Sequence, residues 1–289
     1  MRNYVIVTDS CIDMTQEMVD SLGIQVAQLD IVIEGEGGSV PNNEVDIKDV
    51  YFKLRSKKAI STSAVSIGRF TDLFNDILSK DDVDILYLGF SSGLSSTYSS
   101  AKVALSDVQE NYPERKLYAV DTLCASMGQG LIVYLACKMK EKGASIEEVR
   151  DYVENNKMNL CHWFTVDDLF FLKRGGRVNT ATAVVGTMLS IKPVLHVDNA
   201  GKLVNVSKAK GRKASINAMF ENMKKTMIPH KNDVVFISHG DCIEDAEYLA
   251  GLIRNELGIQ QVEISYVGPV IGSHSGPGTL ALFYLGTER

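Results

Sequence analysis

Residues 84–90 read DILYLGF and residues 91–108 SSGLSSTYSSAKVALSDV. The apolar run Ile85–Phe90 has the length and composition of a buried strand, and the segment from about Tyr98 to Val108 has helical period. A hydroxyl-rich loop lies between them. This strand–loop–helix unit sets the fold class, because the same rhythm repeats on both sides. Upstream come the strand-like YVIVTD (4–9), the helical TQEMVDSL (15–22), the apolar run IQVAQLDIVI (24–33), and helices near DIKDVYFKLRS (46–56) and GRFTDLFNDILS (68–79). Downstream come the strand KLYAVD (116–121) and two helices over residues 126–155, divided at Gly143 and Ser145. Alternation of this kind predicts a parallel sheet covered by helices.

After about residue 156 the rhythm loosens. LCHWFTV (160–166) reads as a strand, DDLFFLKRGG (167–176) as a helix ending at glycine, and KPVLHVDNAGKLVNVSKA (192–209) as a hairpin around Asn199-Ala200-Gly201. Then α/β returns: a helix in KASINAMFENMKKTM (213–227), a strand in DVVFISHG (233–240), a helix in IEDAEYLAGLIRNELG (243–258) and a strand in QVEISYVG (261–268). The expected architecture is two α/β domains. Residues 1–157 form a three-layer α/β/α unit with a parallel sheet, and residues 158–289 a two-layer α/β unit with a mixed sheet. No repeat or low-complexity linker separates them, so the halves are expected to pack closely.

With 289 residues, 45% of them apolar, the chain can fill two moderate cores. A formal charge of −6 argues against nucleic acid as a partner, since phosphate neutralisation needs an excess of cations. The N-terminus enters a strand without a signal-like apolar run, and later apolar runs are too short to span a membrane. A cytoplasmic protein without membrane insertion is expected. The five cysteines, Cys11, Cys124, Cys137, Cys161 and Cys242, are scattered without metal-site spacing and read as reduced and mostly structural.

Five of the eight residues after Phe90 are Ser or Thr. Helix capping needs one or two hydroxyls, so the excess asks for another role. Gly89-Phe90-Ser91-Ser92-Gly93 fits the G-x-S-x-G pattern of a nucleophile elbow, which would make Ser91 the nucleophile of a serine hydrolase, with His274 late enough to be its base. Too few strands precede it for an α/β-hydrolase, and this stays the alternative reading. The other reading is an anion cradle. A helix starting near Thr97 presents free backbone N–H groups, Gly93 permits close approach of the backbone, and Ser92 and its neighbours add donors. No G-x-x-x-x-G-K-[ST] or early G-x-G-x-x-G accompanies it, so nucleotides are poorly matched. Neutral hydroxyls suit a carboxylate.

A second hydroxyl cluster, ISTSAVSIGRF (60–70), precedes another helix, where Ser66 reads as a cap. Near the C-terminus, IGSHSGPG (271–278) places His274 among small residues in an expected loop. VTDSCID (7–13) lacks the spacing of aspartyl phosphatases, so Asp9, Ser10 and Asp13 read as turn and cap residues. SHGDC (238–242) reads as a strand-end turn rather than a metal site, and KRGGR (173–177) as a helix C-terminus whose cations suit the dipole.

Taken together and in order, VTDSCID, STSAVSIGRF, FSSGLSSTYSSA, VDTLCASMGQG, KRGGRVN, LSIKPVL and IGSHSGPGTLALFYLG resemble the DegV family of fatty-acid-binding proteins. The resemblance covers nearly the whole chain. It implies two α/β domains, with one lipid chain in a buried apolar tunnel and its carboxylate near the domain interface. It implies no catalytic residue, metal or cofactor beyond the bound long-chain fatty acid, such as palmitate. By family motif, Thr62 and Ser95 hold the carboxylate and His274 belongs to the same hydrogen-bond network. Ser63, Ser92 and Gly93 are candidates for further head-group contacts, and Arg177 is associated with a surface that docks a partner. That partner, in some relatives, is a separate ATP-dependent fatty acid kinase that makes an acyl phosphate.

The sequence departs from the family pattern at Ala64-Val65, where Gln-Pro is more usual, at Cys124, where serine is common, and at Arg174. None removes a proposed head-group donor, although the first bears on the pose of Ser63. Apolar stretches such as TAVVGTMLSI (182–191) suit a core as well as a tunnel wall.

Overall fold

A computed structural model describes residues 2–178 and 190–289. The first half runs β1 (Asn3–Asp9), α1 (Gln16–Leu22), β2 (Gln25–Ala27), β3 (Asp30–Ile33), β4 (Val40–Pro41), α2 (Ile47–Arg55), β5 (Ile60–Ser63) and α3 (Ile67–Lys80). It continues with β6 (Val83–Gly89), α4 (Thr97–Asn111), β7 (Leu117–Asp121), α5 (Met127–Glu141) and α6 (Ile146–Asn156). The second half holds β8 (Leu160–Thr165), α7 (Leu169–Arg174), β9 (Ile191–Val197), β10 (Leu203–Lys210) and α8 (Arg212–Thr226). It ends with β11 (Val234–His239), α9 (Ile243–Leu257), β12 (Gln261–Tyr266), α10 (Pro269–Ser275) and β13 (Leu280–Leu285). The stretch 182–191 lies outside the described residues apart from its last two.

β6 is buried along its whole length, as its unbroken apolar run requires. It sits inside a parallel four-stranded sheet of order β2-β1-β6-β7. Phe70, Phe74 and Ala101 of α3 and α4 fill one face of that sheet against Ile85 and Tyr87. Leu131, Val133 and Val149 of α5 and α6 fill the other against Ile6, Leu86 and Val120. The second half forms a mixed six-stranded sheet of order β10-β9-β8-β13-β11-β12. Helices α8 and α9 cover one of its faces through Met219, Phe220, Leu249 and Ile253.

The opposite face of the mixed sheet packs on α5, so one continuous core joins Tyr4 and Leu86 to Phe236 and Phe283. Close packing of the halves is therefore achieved by a helix they share. Two glycines of the M-G-Q-G run admit it. A Cβ at Gly128 would stand 2.2 Å from the His162 ring, and one at Gly130 would stand 2.9 Å from the Ile12 carbonyl oxygen. A helix enclosed by two sheets must be apolar nearly all round, and Met127–Val133 is buried at every position.

Three details differ from the sequence reading. The run 24–33 is two strands in two sheets. Ser10 Oγ accepts from the Leu29 N–H at 3.0 Å and the Leu29 carbonyl accepts from the Asn42 N–H at 2.8 Å, which bends the chain between β2 and β3. Strand β3 then pairs antiparallel with β4 and with β5 in a small separate sheet, a pairing that segments of two to four residues do not announce. His274 stands on a helix, α10, rather than in a loop. Pro269 opens that helix at a position where its missing N–H costs nothing, and Gly276 at φ +81° ends it. Its Gly and Ser content disguises the helix, which tertiary packing stabilises. No helix among the described residues is long and apolar enough to cross a membrane.

Candidate functional site

The parallel sheet ends at the loop after β6, beside β5, α10 and the exit of α7, and a cavity of about 290 Å³ opens there between the two sheets. Ligands of open parallel sheets occupy this place, outside the carboxyl ends of the strands. Thr62, Ser95, His274 and Arg177 all line the cavity, although 212 residues separate the first from the third. Most of the remaining wall is apolar and includes Leu29, Phe90, Phe164, Leu172, Val270 and Phe283.

Each polar group is held by a local device. Thr62 is placed by the β3–β5 register, in which it stands opposite Ile31. Its Oγ1 lies 2.8 Å from His274 Nε2. His274 Nδ1 is buried without a hydrogen-bond partner and faces Gly175, where a Cβ would come within 2.2 Å. Burial, reinforced by Arg177 and Arg174, pulls the His274 pKa down to about 4, so the ring is neutral at pH 7. A buried N–H without an acceptor is rarer than an orphaned acceptor, which assigns the proton to Nε2. Nε2–H then donates to Thr62 Oγ1, and the threonine hydroxyl keeps its own proton for another acceptor. Ser95 Oγ accepts from the Thr97 N–H at 3.2 Å and pairs with Thr97 Oγ1 at 2.9 Å, in the turn that leads into α4. Arg177 is half-buried, its Nε donating to the Leu94 carbonyl at 3.2 Å and its Nη1 to that of Gly175. It has no ion-pair partner among the described residues.

The other candidates fall elsewhere. Ser63 is exposed on β5, and Ser92 is exposed with its N–H on Asp121 Oδ1 at 3.2 Å. Gly93 packs under the β9–β10 hairpin, where a Cβ would lie 2.6 Å from the Ala200 carbonyl oxygen. None of the three lines the cavity. Ser91, the elbow candidate, is buried, donates to the Gly201 carbonyl at 2.8 Å and accepts from the Gly93 N–H at 3.2 Å. No histidine is among its partners in the described residues, so none of them is placed to take up its proton.

Sequence reading passed over several groups at the cavity. His162 lines it, but its Nε2 accepts from the Ala125 N–H at 3.3 Å and its Nδ1 meets the Leu160 carbonyl at 3.1 Å, a neutral ring fixed at both nitrogens. Ser126 and Ser238 also line it, 2.9 Å apart, and Ser126 Oγ donates to Asp13 Oδ2 at 2.5 Å. Ser126 holds a backbone conformation that L-residues rarely adopt, φ +53° and ψ −148°. Burial lifts the Asp13 pKa to about 7, against the opposing Ser126 hydrogen bond. Two serines and an aspartate in three separate motifs give no pattern from which this contact could be read. No group of three His, Cys, Asp or Glu side chains among the described residues is placed to hold a metal ion.

Comparison with known proteins gives a consistent answer. The family model described as "Uncharacterised protein, DegV family" matches residues 3–287. A DegV domain-containing protein of Clostridium perfringens is 45% identical over 290 residues, covering 100% of this chain and 99% of its own length. A Thermus thermophilus structure, titled as fatty acid binding of a DegV family protein, superposes with a TM-score of 0.86 at 29% identity, covering 99% of this chain and 100% of that one. A Bacillus subtilis structure titled DegV, a fatty acid binding protein, gives a TM-score of 0.85 at 28% identity, with the same coverage of 99% and 100%. By the family match over almost its whole length, the chain belongs to the DegV family.

Proposed function

We propose that this protein binds one long-chain fatty acid, with its carboxylate between Thr62, Ser95 and His274 and its tail along the apolar wall. The observation that carries this reading is a cavity with hydroxyls and a cation at one end and mostly apolar walls beyond. Its volume, about 290 Å³, is at the lower end of small-molecule sites and suits a thin, unbranched ligand. Burying a sixteen-carbon chain at roughly 0.8 kcal/mol per methylene contributes on the order of 10 kcal/mol before immobilisation costs. The tail supplies affinity. The carboxylate would cost several kcal/mol unless hydrogen-bonded, so the Thr62 hydroxyl, oriented by His274, offsets that cost and fixes the direction of entry. Arg177 supplies the only cation on the cavity wall among the described residues and supports the same polarity.

The division into units of residues 1–157 and 158–289 belongs to the same reading. The strands of the parallel sheet end at Asp121 and those of the mixed sheet begin at Leu160, on either side of it. Presentation to an ATP-dependent fatty acid kinase is the further step. Ser96 of the α4 loop is exposed yet reaches the cavity, which leaves an open approach to the carboxylate end. Solvent extraction of the purified protein, followed by mass spectrometry of the released material, tests the binding. A stoichiometric long-chain acid is expected. A lipid-free protein that also fails to take up added hexadecanoic acid would overturn the proposal.

A further inference from the structure

Hydroxyls interrupt the apolar wall of the cavity beyond its Thr62 end as well: Ser275 and Thr279 follow His274, and Ser126 with Ser238 stands at the other end of α10. Asp13, to which Ser126 donates, packs against Gly268, the residue that opens α10, while His274 stands at its C-terminal end. Six residues separate Gly268 from His274, about 9 Å at the α-helical rise. An extended chain of C–C bonds advances about 1.25 Å per carbon from the same bond geometry. The serine pair therefore stands beside about the eighth to tenth carbon of an acid whose carboxylate is at Thr62, a placement that rests on the fatty-acid reading above.

Hydrogen-bond direction decides what the pair can accept. At pH 8, above the Asp13 pKa of about 7, the carboxylate is an acceptor only, so Ser126 donates to it and Ser238 in turn donates to Ser126. The Ser238 oxygen, fully buried on the cavity wall, keeps lone pairs for which no donor exists among the described residues. A purely apolar tail would leave that acceptor capacity unused, with Ser126 as the hydroxyl's hydrogen-bond partner. A structural tie between the turn after β1, α5 and β11 explains the Asp13–Ser126 contact, yet it does not call for a hydroxyl on the cavity wall.

We propose that Ser238, set by Ser126 and Asp13, is a subsite for a hydroxyl near the middle of the acyl chain, so that the ligand class includes mid-chain hydroxylated long-chain acids. The test is displacement of a fluorescent fatty acid from delipidated protein at pH 8 by 9-hydroxyoctadecanoic, 17-hydroxyoctadecanoic and octadecanoic acids. A net hydrogen bond of about 1 kcal/mol corresponds to a preference of roughly fivefold for the 9-hydroxy over the 17-hydroxy isomer. Ser238→Ala is expected to reduce that ratio to about one, and Ser238→Thr, which keeps the hydroxyl, to retain it. Equal binding of the isomers by the wild type, or the same ratio in Ser238→Ala, overturns the subsite while octadecanoic acid still displaces the probe. If none of the three acids displaces it from the wild type, the subsite and the fatty-acid reading both fall. Should Ser238→Ala not fold, the isomer ratio of the wild type and of Ser238→Thr decides the matter.

Discussion

Thr62→Val removes one hydroxyl and leaves a side chain of nearly the same shape in a strand that favours β-branched residues. In the proposed complex the hydroxyl donates to the carboxylate and accepts from His274 Nε2, now 2.8 Å away. A hydrogen bond to a charged group contributes about 1.5 to 3 kcal/mol, so affinity for hexadecanoic acid should fall roughly ten- to a hundredfold. The free protein also leaves the His274 N–H unpaired and should lose about 1 to 3 kcal/mol of stability. Calorimetric titration of delipidated protein gives the first quantity and urea denaturation the second. Thr62→Ser, which restores the hydroxyl without the methyl, should recover most of both losses. Wild-type affinity in Thr62→Val refutes the head-group assignment. An equal loss in Thr62→Ser refutes it too, because the methyl and not the hydroxyl would then be responsible.

Two further outcomes follow from the same geometry. His274 has its folded pKa lowered to about 4 from 6.5, so between those values the unfolded chain binds the proton and the folded one does not. The His274 contribution is complete above pH 6.5 and is lost as pH falls, by on the order of 1 to 2 kcal/mol at pH 5, with buried His162 acting in the same direction and Asp13, whose pKa is raised to about 7, acting against it. The difference between wild type and His274→Gln in the change of denaturation midpoint from pH 7.5 to pH 5 isolates it, and an equal change in the two proteins would contradict it. Ser91→Ala should cost about 1 kcal/mol through loss of the bond to the Gly201 carbonyl, with hexadecanoic acid binding retained. Intact-mass spectrometry after fluorophosphonate treatment should show no adduct on the wild type, and labelling at Ser91 would revive the hydrolase reading.

The elements that sequence shows best are those with a strong local cause. The apolar run of β6, the Ser66 cap, the helix division at Gly143 and Ser145 and the turn at Asn199-Ala200-Gly201 each have a reason within a few residues, and each stands where the pattern places it. The break between β2 and β3 does not, because it is made by Ser10 and Asn42 from other segments. Helix α10 was hidden for a related reason: its Gly and Ser residues are poor helix formers, and the helix is held by what surrounds it. Of the hydroxyls in the 91–97 loop, sequence composition marked an excess, and only the fold separated Ser95 on the cavity wall from Ser91 beneath the hairpin and Ser92 in solvent.

By itself the sequence determined the α/β class, the order of most elements and the motifs that place the chain in its family, because periodicity, caps and motif order are properties of neighbouring residues. The tertiary structure decided which donors share one cavity. Thr62 meets His274 across 212 positions, and Asp13 meets Ser126, and Ser126 meets Ser238, each across more than a hundred, through strand pairing and a helix enclosed by two sheets. Contacts of that range depend on long-range packing, in which a single serine or histidine leaves no local trace.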